Sequence, residues 1–528
     1  MARKVAPKNV KPAASKKAKP KPSDRRSRAS GKKGEPRVRV RMYRQGLGDC
    51  FLITFENHDR SRFRILIDCG LIIGGKRALL KDCIENLCET LEREDGPGKG
   101  KIDVLVVTHQ HWDHISAFSE AKDLLDRITF DNVWMAWTEN PADTLARKLR
   151  REREQNKSFL FQLAAAQGFN VETGNLDPGT KHPLAGIATV LGFFGASAGK
   201  TAEAMAAAKK RGKEVSYLMP GEKPWTTPEL PGVRIYTLGP PHDEKQIKKT
   251  TAAKEQYEFG DSSEMRRAFF SAAGVIEKKD GKGNGFEADK EKIREEQLLD
   301  RPFDLTYERP LEDLHHQHGI FAKNHRDQDR ARWSPLLQFL DRYYWGVDPD
   351  SGRPDQDWRR IDSDWLGLGN ELALALDNAT NNTSLVLAIE LIDSGKVLLF
   401  PGDAQAGNWL SWNTYKWNVD GRDVTSDDLL RRTVFYKVGH HGSENATMRA
   451  RGLELMESDE LVAFIPVDEE TAKKKHWNRM PLKSLSEQLA ERTSNRVVRL
   501  DDKSKKDRSG FKPGALKVDP LFFEYTIG

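Results

Sequence analysis

One short segment of the chain concentrates side chains that can bind a metal ion. Within the segment Thr108–His114 lie four candidate ligands: His109, His111, Asp113 and His114. Imidazole nitrogen and carboxylate oxygen are ligands that zinc, manganese and iron accept. Because the segment directly follows Ile102–Val107, an apolar run typical of a buried strand, the two alternate histidines at its exit can point at one ion. The turn that follows can bring the other two ligands to a neighbouring ion.

The elements that must position this segment are strands mixed with helices. In the first part of the chain, apolar runs and alternation predict a helix over Lys76–Glu94 and the strands Val38–Tyr43, Phe51–Phe55 and Phe63–Asp68. In the last part, the same patterns predict a helix over Pro481–Arg492 and the strands Ser384–Leu391, Lys396–Phe400, Val434–Val438 and Leu461–Pro466. This mixture in both parts predicts an α/β (α+β) fold with two sheets and helices packed outside them.

The metal-ligand segment resembles the His-x-His-x-Asp-His signature of the metallo-β-lactamase superfamily. This resemblance implies a four-layer αββα metallo-β-lactamase sandwich and further site residues. Asp68, in an Asp-x-Gly turn, matches an aspartate that gives structural support to the ligand loop, and Asp403 matches a carboxylate that bridges two metal ions. A late histidine ligand matches His440 or His441. Of these two His440 is favoured as the ligand, with the other ring in a supporting hydrogen bond.

Four further motifs look like those of competence-type hydrolases, relatives of the soluble hydrolase domain attached to the ComEC DNA-uptake channel. They are Gly46–Asp49, Asn381–Ser384, Gly402–Asp403 and His440–Ser443. The resemblance to this ComEC-like subgroup covers about residues 37–140 and 371–528, half of the chain. Since the chain contains no run of apolar residues long enough for a channel-type membrane helix, DNA transport itself is not implied.

The chain departs from the superfamily pattern at one ligand. A third isolated histidine is expected just before the strand that begins at Ser384, but Asn381 and Asn382 stand there. The resemblance therefore implies a weak site made by the first two histidines of the segment and Asp403, to which Asn382 could add an amide oxygen. A second site would contain the later two ligands of the segment, Asp403 and the late histidine. Two divalent ions are the expected cofactors, with zinc favoured and manganese as the alternative.

The expected chemistry is hydrolysis by a metal-bound hydroxide, because a bound metal ion lowers the pKa of water toward neutrality. Asp113 is the candidate catalytic residue, since it stands between the histidine pairs and can orient the hydroxide. Lys437 and Ser443 flank the late histidine and could contact an anionic substrate, although such neighbours more often make no contact. A phosphodiester, including nucleic acid, is the expected substrate. The alternatives are a small ester or lactone hydrolase of the same fold, and a nucleic-acid-binding or defence adaptor with an impaired metal site.

Charge is unevenly distributed along the chain. Residues 1–36 contain 13 basic and two acidic residues, whereas the remainder contains 73 basic and 77 acidic residues. A tail of this composition, with few large apolar side chains, is expected to be disordered. It could bind nucleic acid or another anionic partner by releasing counterions, or it could serve only to keep the protein soluble.

The remainder of the chain divides into two halves of one domain and an insertion. Residues 37–140 and 371–528 are the expected halves of the metallo-β-lactamase-like domain, and residues 141–370 are a mostly helical insertion in which Val233–Leu238 is a candidate core strand. The apolar runs are too short for membrane insertion, and four cysteines in 528 residues exclude a disulfide scaffold. We therefore expect a cytoplasmic protein.

Overall fold

The structure, a computed structural model, describes most of the chain. The described residues are 34–166, 187, 190–195, 197–249, 276–280, 283–287, 335, 339, 365–445, 447–475, 477, 479–503 and 508–528. The tail at 1–36 that was predicted to be disordered therefore lies almost wholly outside the described residues. Most of the range 250–370, which belongs to the predicted insertion, lies outside them as well.

The described strands form two main sheets. In chain order they are β1 Arg37–Tyr43, β2 Phe51–Glu56, β3 Arg62–Ile67, β4 Lys101–Val107, β5 Thr129–Ala136, β6 Gly212–Leu218, β7 Val233–Gly239, β8 Ile276–Asp280, β9 Gly283–Glu287, β10 Val386–Leu391, β11 Lys396–Phe400, β12 Lys416–Val419, β13 Arg422–Thr425, β14 Thr433–Lys437, β15 Val462–Ile465, β16 Val497–Arg499, β17 Leu516–Val518 and β18 Phe522–Ile527. The first sheet has the order β17-β18-β1-β2-β3-β4-β5-β6, and the second has the order β16-β15-β14-β11-β10-β7. β8 pairs with β9, and β12 with β13, in two small sheets.

Parallel strands in each sheet bring several loops to one edge of the fold. β3, β4, β5 and β6 are parallel to one another in the first sheet. β11, β14, β15 and β16 are parallel in the second. The carboxyl ends of parallel strands lie at the same edge of a sheet, where ligands commonly bind in α/β proteins. The loops after β3, β4, β11 and β14 carry the predicted site residues.

The two sheets pack face to face through an apolar core. On β1, Val38, Val40 and Met42 belong to this core, together with buried residues of strands from both sheets. The alternate residues Arg39 and Arg41 lie on the other face of the strand and form ion pairs. This period of two is what a strand with one face in the core requires.

Helices cover the outer face of each sheet. In chain order the α-helices are α1 Arg77–Asp95, α2 Trp112–Ile115, α3 Ala117–Glu120, α4 Lys122–Leu125, α5 Thr144–Ala166, α6 Lys200–Lys209, α7 Glu244–Ile247, α8 Trp365–Asn381, α9 Ala406–Ser411, α10 Ser426–Arg431, α11 Glu469–Lys474 and α12 Lys483–Arg492. Apolar residues of α1 and α6 pack on the first sheet, and those of α9 to α12 pack on the second. The layers are therefore helix, sheet, sheet and helix. The predicted αββα sandwich is confirmed.

Helix α8 reaches the edge of the sandwich that carries the site. Ala373 and Leu376 on α8 pack in one apolar cluster with Phe159, Leu160 and Ala164 on α5. This packing anchors the last two turns of α8, whose final residue, Asn381, is one of the asparagines at the place of the missing histidine. The chain then enters β10, which lies between β7 and β11 in the second sheet.

The predicted strands are all present, with ends that differ from the predicted ends by at most two residues. Besides the small pair β8 and β9, two strands of the main sheets fall within the range 141–370 that was predicted to be an insertion. β7 pairs with β10, as expected for a core strand, and β6 pairs with β5 in the first sheet. Part of this range therefore belongs to the sandwich. β6 was missed because Lys213 and Glu214 interrupt its apolar pattern at the open edge of the sheet.

The cysteines are reduced, and the described helices are too short or too polar to span a membrane. Cys50, Cys69, Cys83 and Cys88 are buried free thiols. Among the helices that the structure describes, none combines the length with the apolar composition that crossing a bilayer requires.

Candidate metal centre

Loops at the carboxyl ends of four strands bring the predicted ligands together. The segment Thr108–His114 follows β4 and enters the short helix α2, while Asp68 follows β3. Asp403 follows β11, and the histidine pair at 440–441 follows β14. Every one of these candidate side chains is buried, with exposed fractions of at most 7%. The two halves of the chain thus contribute to one buried polar site.

Four ligand atoms surround one point in this site. They belong to Asp113, His114, Asp403 and His441 and lie within 4.8 Å of one another. The four distances between an imidazole Nε2 and a carboxylate Oδ2 are 2.8, 3.0, 3.7 and 4.0 Å. Ligand atoms of a tetrahedral ion with bonds of about 2.1 Å are about 3.4 Å apart. This four-residue cluster therefore fits a divalent cation.

Hydrogen bonds from the outer ring nitrogens orient both histidines of the cluster. His114 Nδ1 donates to Asp68 Oδ2 at 2.8 Å, and His441 Nδ1 donates to the Pro466 carbonyl at 2.7 Å. Carboxylate and carbonyl oxygens only accept hydrogen bonds, so each Nδ1 carries the hydrogen. In the neutral ring Nε2 then carries a lone pair that faces the cluster. Both rings are held in the tautomer that binds a metal ion.

The carboxylates around the cluster favour positive charge at its centre. Burial lowers the pKa of His114, but the surrounding carboxylates, Asp403 foremost, outweigh it and raise the pKa well above its ordinary value. Burial also lowers the pKa of His441, and its hydrogen bond to Asp113 reverses that effect. Burial raises the pKa of Asp403, but His114 and Lys437 hold it well below its ordinary value. The cluster favours cations, which are protons on the imidazoles or a divalent ion that displaces them.

Asp68 fixes the loop that carries the ligands. Its carboxylate accepts hydrogen bonds from the backbone N–H and the hydroxyl of Thr108, at 2.8 and 2.6 Å, as well as the one from His114. Gly70 allows the two loops to touch, because a Cβ there would lie 2.3 Å from the carbonyl carbon of Asp113. Asp68 therefore lies where the predicted supporting role requires it.

A second group of carboxylates lies behind the four-residue cluster. Asp49, Asp68 and His114 are close enough to hold an ion by distance alone. However, Asp68 already accepts hydrogen bonds from Thr108 and His114, and Asp49 Oδ2 lies 2.6 Å from Lys437 Nζ. We therefore assign this group to the orientation of His114.

His109 and His111 form a separate pair beside the cluster. His109 Nε2 and His111 Nδ1 lie 3.0 Å apart, a separation that two ligands of one ion can have. The outer nitrogen of His109 hydrogen-bonds at 3.0 Å with the hydroxyl of Thr108, whose own hydrogen goes to Asp68. His109 Nε2 therefore carries a lone pair. Burial lowers the pKa of His109 well below its ordinary value and that of His111 to about 3, so both rings are neutral.

The asparagines at the place of the missing histidine differ in their surroundings. The side-chain nitrogen of Asn382 donates to two backbone carbonyls, and its oxygen accepts from two backbone N–H groups. The suggestion that Asn382 supplies an amide oxygen to the weaker site is therefore wrong, since that oxygen holds the start of α9. The side-chain oxygen of Asn381, by contrast, is buried and has no partner among the described residues.

His441, and not His440, is the late histidine in the four-residue cluster. The two residues have φ of 42° and 53°, a left-handed conformation that costs a non-glycine residue about 1 to 3 kcal/mol. His441 Nε2 lies 2.8 Å from Asp113 Oδ2. The ring nitrogens of His440 instead contact Gln405, Asn381 and Ser443. The preference for His440 is corrected, because the left-handed turn after β14 places the second ring of the pair, and not the first, in the cluster.

The two residues considered as possible substrate contacts, Lys437 and Ser443, bind other groups inside the protein. Lys437 Nζ lies 2.6 Å from Asp49 Oδ2 and 3.0 Å from Asp403 Oδ1, and none of the three side chains is more than 2% exposed. Burial lowers the pKa of Lys437, but the two carboxylates outweigh it and raise the pKa, so its charge is neutralised internally. Ser443 Oγ hydrogen-bonds with His440 Nδ1 at 2.7 Å. Lys437 and Ser443 thus support other site residues.

A different lysine, which the sequence patterns did not single out, lies beside the cluster. Lys475 is partly buried, and its Nζ has no hydrogen bond or ion pair among the described residues. Burial lowers its pKa, and the charge of Asp113 partly opposes this. Lys475 Nζ lies 5.9 Å from the ring centre of Trp477, which stacks on Phe193 at 4.6 Å. Phe193 stacks in turn on His111 at 5.3 Å, so this aromatic stack joins Lys475 to the metal ligands.

Part of the chain matches a known protein family. Residues 43–126 match the Metallo-beta-lactamase superfamily. The metallo-β-lactamase match contains Asp68 and the four candidate ligands of Thr108–His114, and the fold brings Asp403 and His441 to them from the other half. Together, the match and the buried cluster indicate a metal-dependent hydrolase. Comparisons with curated proteins and with solved structures found no match.

Proposed function

We propose that this protein is a metal-dependent phosphodiesterase of the metallo-β-lactamase superfamily, in its ComEC-like subgroup. The observation that supports hydrolase chemistry is the four-residue cluster, in which two oriented imidazoles each direct a lone pair toward two carboxylates. Two nitrogen and two oxygen ligands favour zinc as the ion, with manganese as the alternative. A divalent ion held there would supply Lewis acidity and activate water near neutral pH.

Asp113 is the proposed catalytic residue, through its second oxygen. Asp113 Oδ2 lies against His441 in the cluster, while Oδ1 is buried and has no partner among the described residues. That oxygen can accept a proton from an attacking water molecule and orient it. Asp403 is fixed from behind by Lys437 and by the backbone N–H of His440, at 3.0 and 2.9 Å, so that its Oδ2 stays directed at the cluster.

The positive charge of Lys475 favours the proposal of an anionic substrate over that of a neutral one. A partly buried ammonium group that has no hydrogen bond or ion pair among the described residues, and lies 5.9 Å from the ring centre of Trp477, can still bind an anion through its hydrogen bonds and charge. Its link to His111 through the stacked rings of Trp477 and Phe193, together with its electrostatic interaction with Asp113, would let it bind an oxygen of a phosphodiester while another part of the substrate meets the cluster. Trp477, which is only partly buried and stacks on the buried Phe193, offers an apolar ring surface next to it, on which a base or another flat group can pack.

Replacing Lys475 by alanine should raise the KM for an anionic phosphodiester. A hydrogen bond to a charged group contributes about 1.5 to 3 kcal/mol, so kcat/KM should fall about 10- to 100-fold. Hydrolysis of a neutral ester or lactone, measured in parallel, should not change. The matched control is Lys474→Ala, since Lys474 is 71% exposed and pairs with Glu470 on α11.

The pair of substrates separates the proposed function from its alternatives. Turnover of only the neutral substrate, unaffected by Lys475→Ala, would indicate the small ester or lactone hydrolase. Bound metal without turnover of either substrate would support the adaptor. The complete four-residue cluster favours catalysis over an adaptor with an impaired site.

We also propose that the basic tail at residues 1–36 binds nucleic acid through its phosphates. Its 13 lysines and arginines would release counterions from the polymer on binding.

Deletion of the tail should therefore make the slope of log affinity against log salt less steep, by about 0.7 to 0.9 for each basic residue that contacts a phosphate. The measurement is fluorescence anisotropy with a labelled oligonucleotide over a salt series. A tail of equal length with glutamine at every basic position is the matched control, and a slope that the deletion leaves unchanged would contradict this role.

A further inference from the structure

Several buried polar atoms around His111 and His440 have no partner among the described residues. They are His111 Nε2 and Asp377 Oδ1, which face each other, and Asn381 Oδ1 and Gln405 Oε1, whose side-chain nitrogens contact His440. Three of them are acceptor oxygens. A buried acceptor without a donor is costly, so native proteins rarely leave one unless a proton, water or cation meets it. The position of these atoms points to a role in the metal site.

Asp377 is fixed in front of His111 by the last turn of α8. Asn381 Nδ2 donates to Asp377 Oδ2 at 3.1 Å, from one helical turn further along. The other oxygen, Asp377 Oδ1, lies 3.6 Å from His111 Nε2. The Asp377 side chain is 9% exposed and that of His111 is 1% exposed. One carboxylate oxygen is thus held in place, and the free one faces a free imidazole nitrogen.

The other histidines of the site indicate a role for the contact between His111 and Asp377. The outer nitrogens of His109, His114 and His441 each have an acceptor oxygen, at 2.7 to 3.0 Å. In each case this leaves Nε2, the inner nitrogen, with a lone pair for an ion. For His111 the inner nitrogen is Nδ1, which faces His109, and the outer nitrogen is Nε2. Among the described residues, Asp377 is the carboxylate that pairs with that outer nitrogen, at 3.6 Å, so it can complete the same pattern.

We propose that Asp377 is the positioning residue of a metal site that His109 and His111 form beside the four-residue cluster. On metal binding its carboxylate would accept the Nε2 hydrogen of His111, which now lies 3.6 Å away, and would thereby leave the Nδ1 lone pair beside that of His109, ready for a divalent cation. This inference rests on the proposed function and deepens it. A carboxylate behind an imidazole ligand fixes the ring and makes it more basic. Asp377 on α8 thus strengthens a site in which Asn381 and Asn382 stand where a third histidine would be expected.

Zinc titration of chelator-treated protein tests this proposal without any assay of activity. Ions per chain are measured by equilibrium dialysis with elemental analysis, and affinities by calorimetry. We expect two ions per chain in the unaltered protein. Asp377→Ala should weaken one of them about 10- to 100-fold, the usual effect of losing such a partner, and leave the other unchanged. Asp377→Asn keeps the volume but not the charge, so it should fold normally and produce a smaller loss at the same site.

Two controls separate this inference from the proposed function. Asn378→Ala alters the neighbouring residue on α8 and should leave both affinities unchanged, whereas His441→Ala should remove the ion of the four-residue cluster and retain the other. Two ions bound equally well by the Asp377 variants would overturn the role of Asp377 alone. A single ion in the unaltered protein would also overturn it and leave the four-residue cluster standing. Absence of any bound ion would overturn the proposed function itself.

Discussion

Replacing Asp113 by alanine should reduce phosphodiester hydrolysis about a thousandfold and leave the fold intact. A positioned general base contributes roughly 100- to 10,000-fold to a rate, and the substitution removes both the free Oδ1 and the Oδ2 of the four-residue cluster. The measurement is kcat and KM for a chromogenic phosphodiester at saturating zinc or manganese. Because the loss concerns the chemical step, kcat should account for most of it.

The matched variants for this prediction separate charge from shape. Asp113→Asn keeps the volume of the side chain but cannot take a proton, so its activity should be nearly as low. Asp123→Ala removes an exposed carboxylate on α4 and should retain full activity. Turnover by Asp113→Ala within a few-fold of the unaltered protein would contradict the catalytic assignment of Asp113.

Replacing Lys437 by methionine should cause the largest loss of stability among substitutions near the site. Lys437 Nζ lies between the buried carboxylates of Asp49 and Asp403, at 2.6 and 3.0 Å. Removing one partner of a buried ion pair leaves uncompensated charge and typically costs 3 to 5 kcal/mol, so we expect a loss of about 4 kcal/mol in the free energy of unfolding. Urea denaturation in the presence of a chelator measures this loss without a contribution from metal binding.

A surface lysine provides the control for the Lys437 prediction. Lys213 pairs with Asp131 at 2.6 Å, but its side chain is 76% exposed. Exposed pairs of this kind contribute less than about 1 kcal/mol, so Lys213→Met should change the free energy of unfolding only slightly. Equal effects of the two substitutions would show that Lys437 does not neutralise the two carboxylates in the folded protein.

The fold could be predicted where sequence patterns are local and strong. β1 alternates apolar and basic residues, and β4 ends in the apolar run Val104–Val107, so both were evident. β5 and β6 were missed, since Asp131, Asn132, Lys213 and Glu214 interrupt their apolar residues. These strands form because β4 provides a partner for β5 and β5 one for β6. Such pairing between distant segments leaves no periodic mark in the sequence.

The site could be predicted only in part, because several of its residues come together from segments that are distant in the sequence. His109, His111, Asp113 and His114 share one short segment, whose composition is itself the signal. The choice between His440 and His441 depends on left-handed backbone torsions after β14, which the residue types do not specify. Asp377 lies in α8 and Lys475 directly follows α11, and only the packing of these segments brings them near the ligands. A carboxylate four residues before the asparagines, one helical turn from Asn381, was the available clue to Asp377.

The measurement that tests the central claim most directly is hydrolysis of a chromogenic phosphodiester before chelation, after complete removal of metal, and after readdition of zinc or manganese. The proposed function predicts turnover that disappears with the metal and returns with it, in the unaltered protein but not in Asp113→Ala. Turnover that persists in metal-free protein, or its absence from protein shown to hold its ions, would contradict a metal-dependent phosphodiesterase.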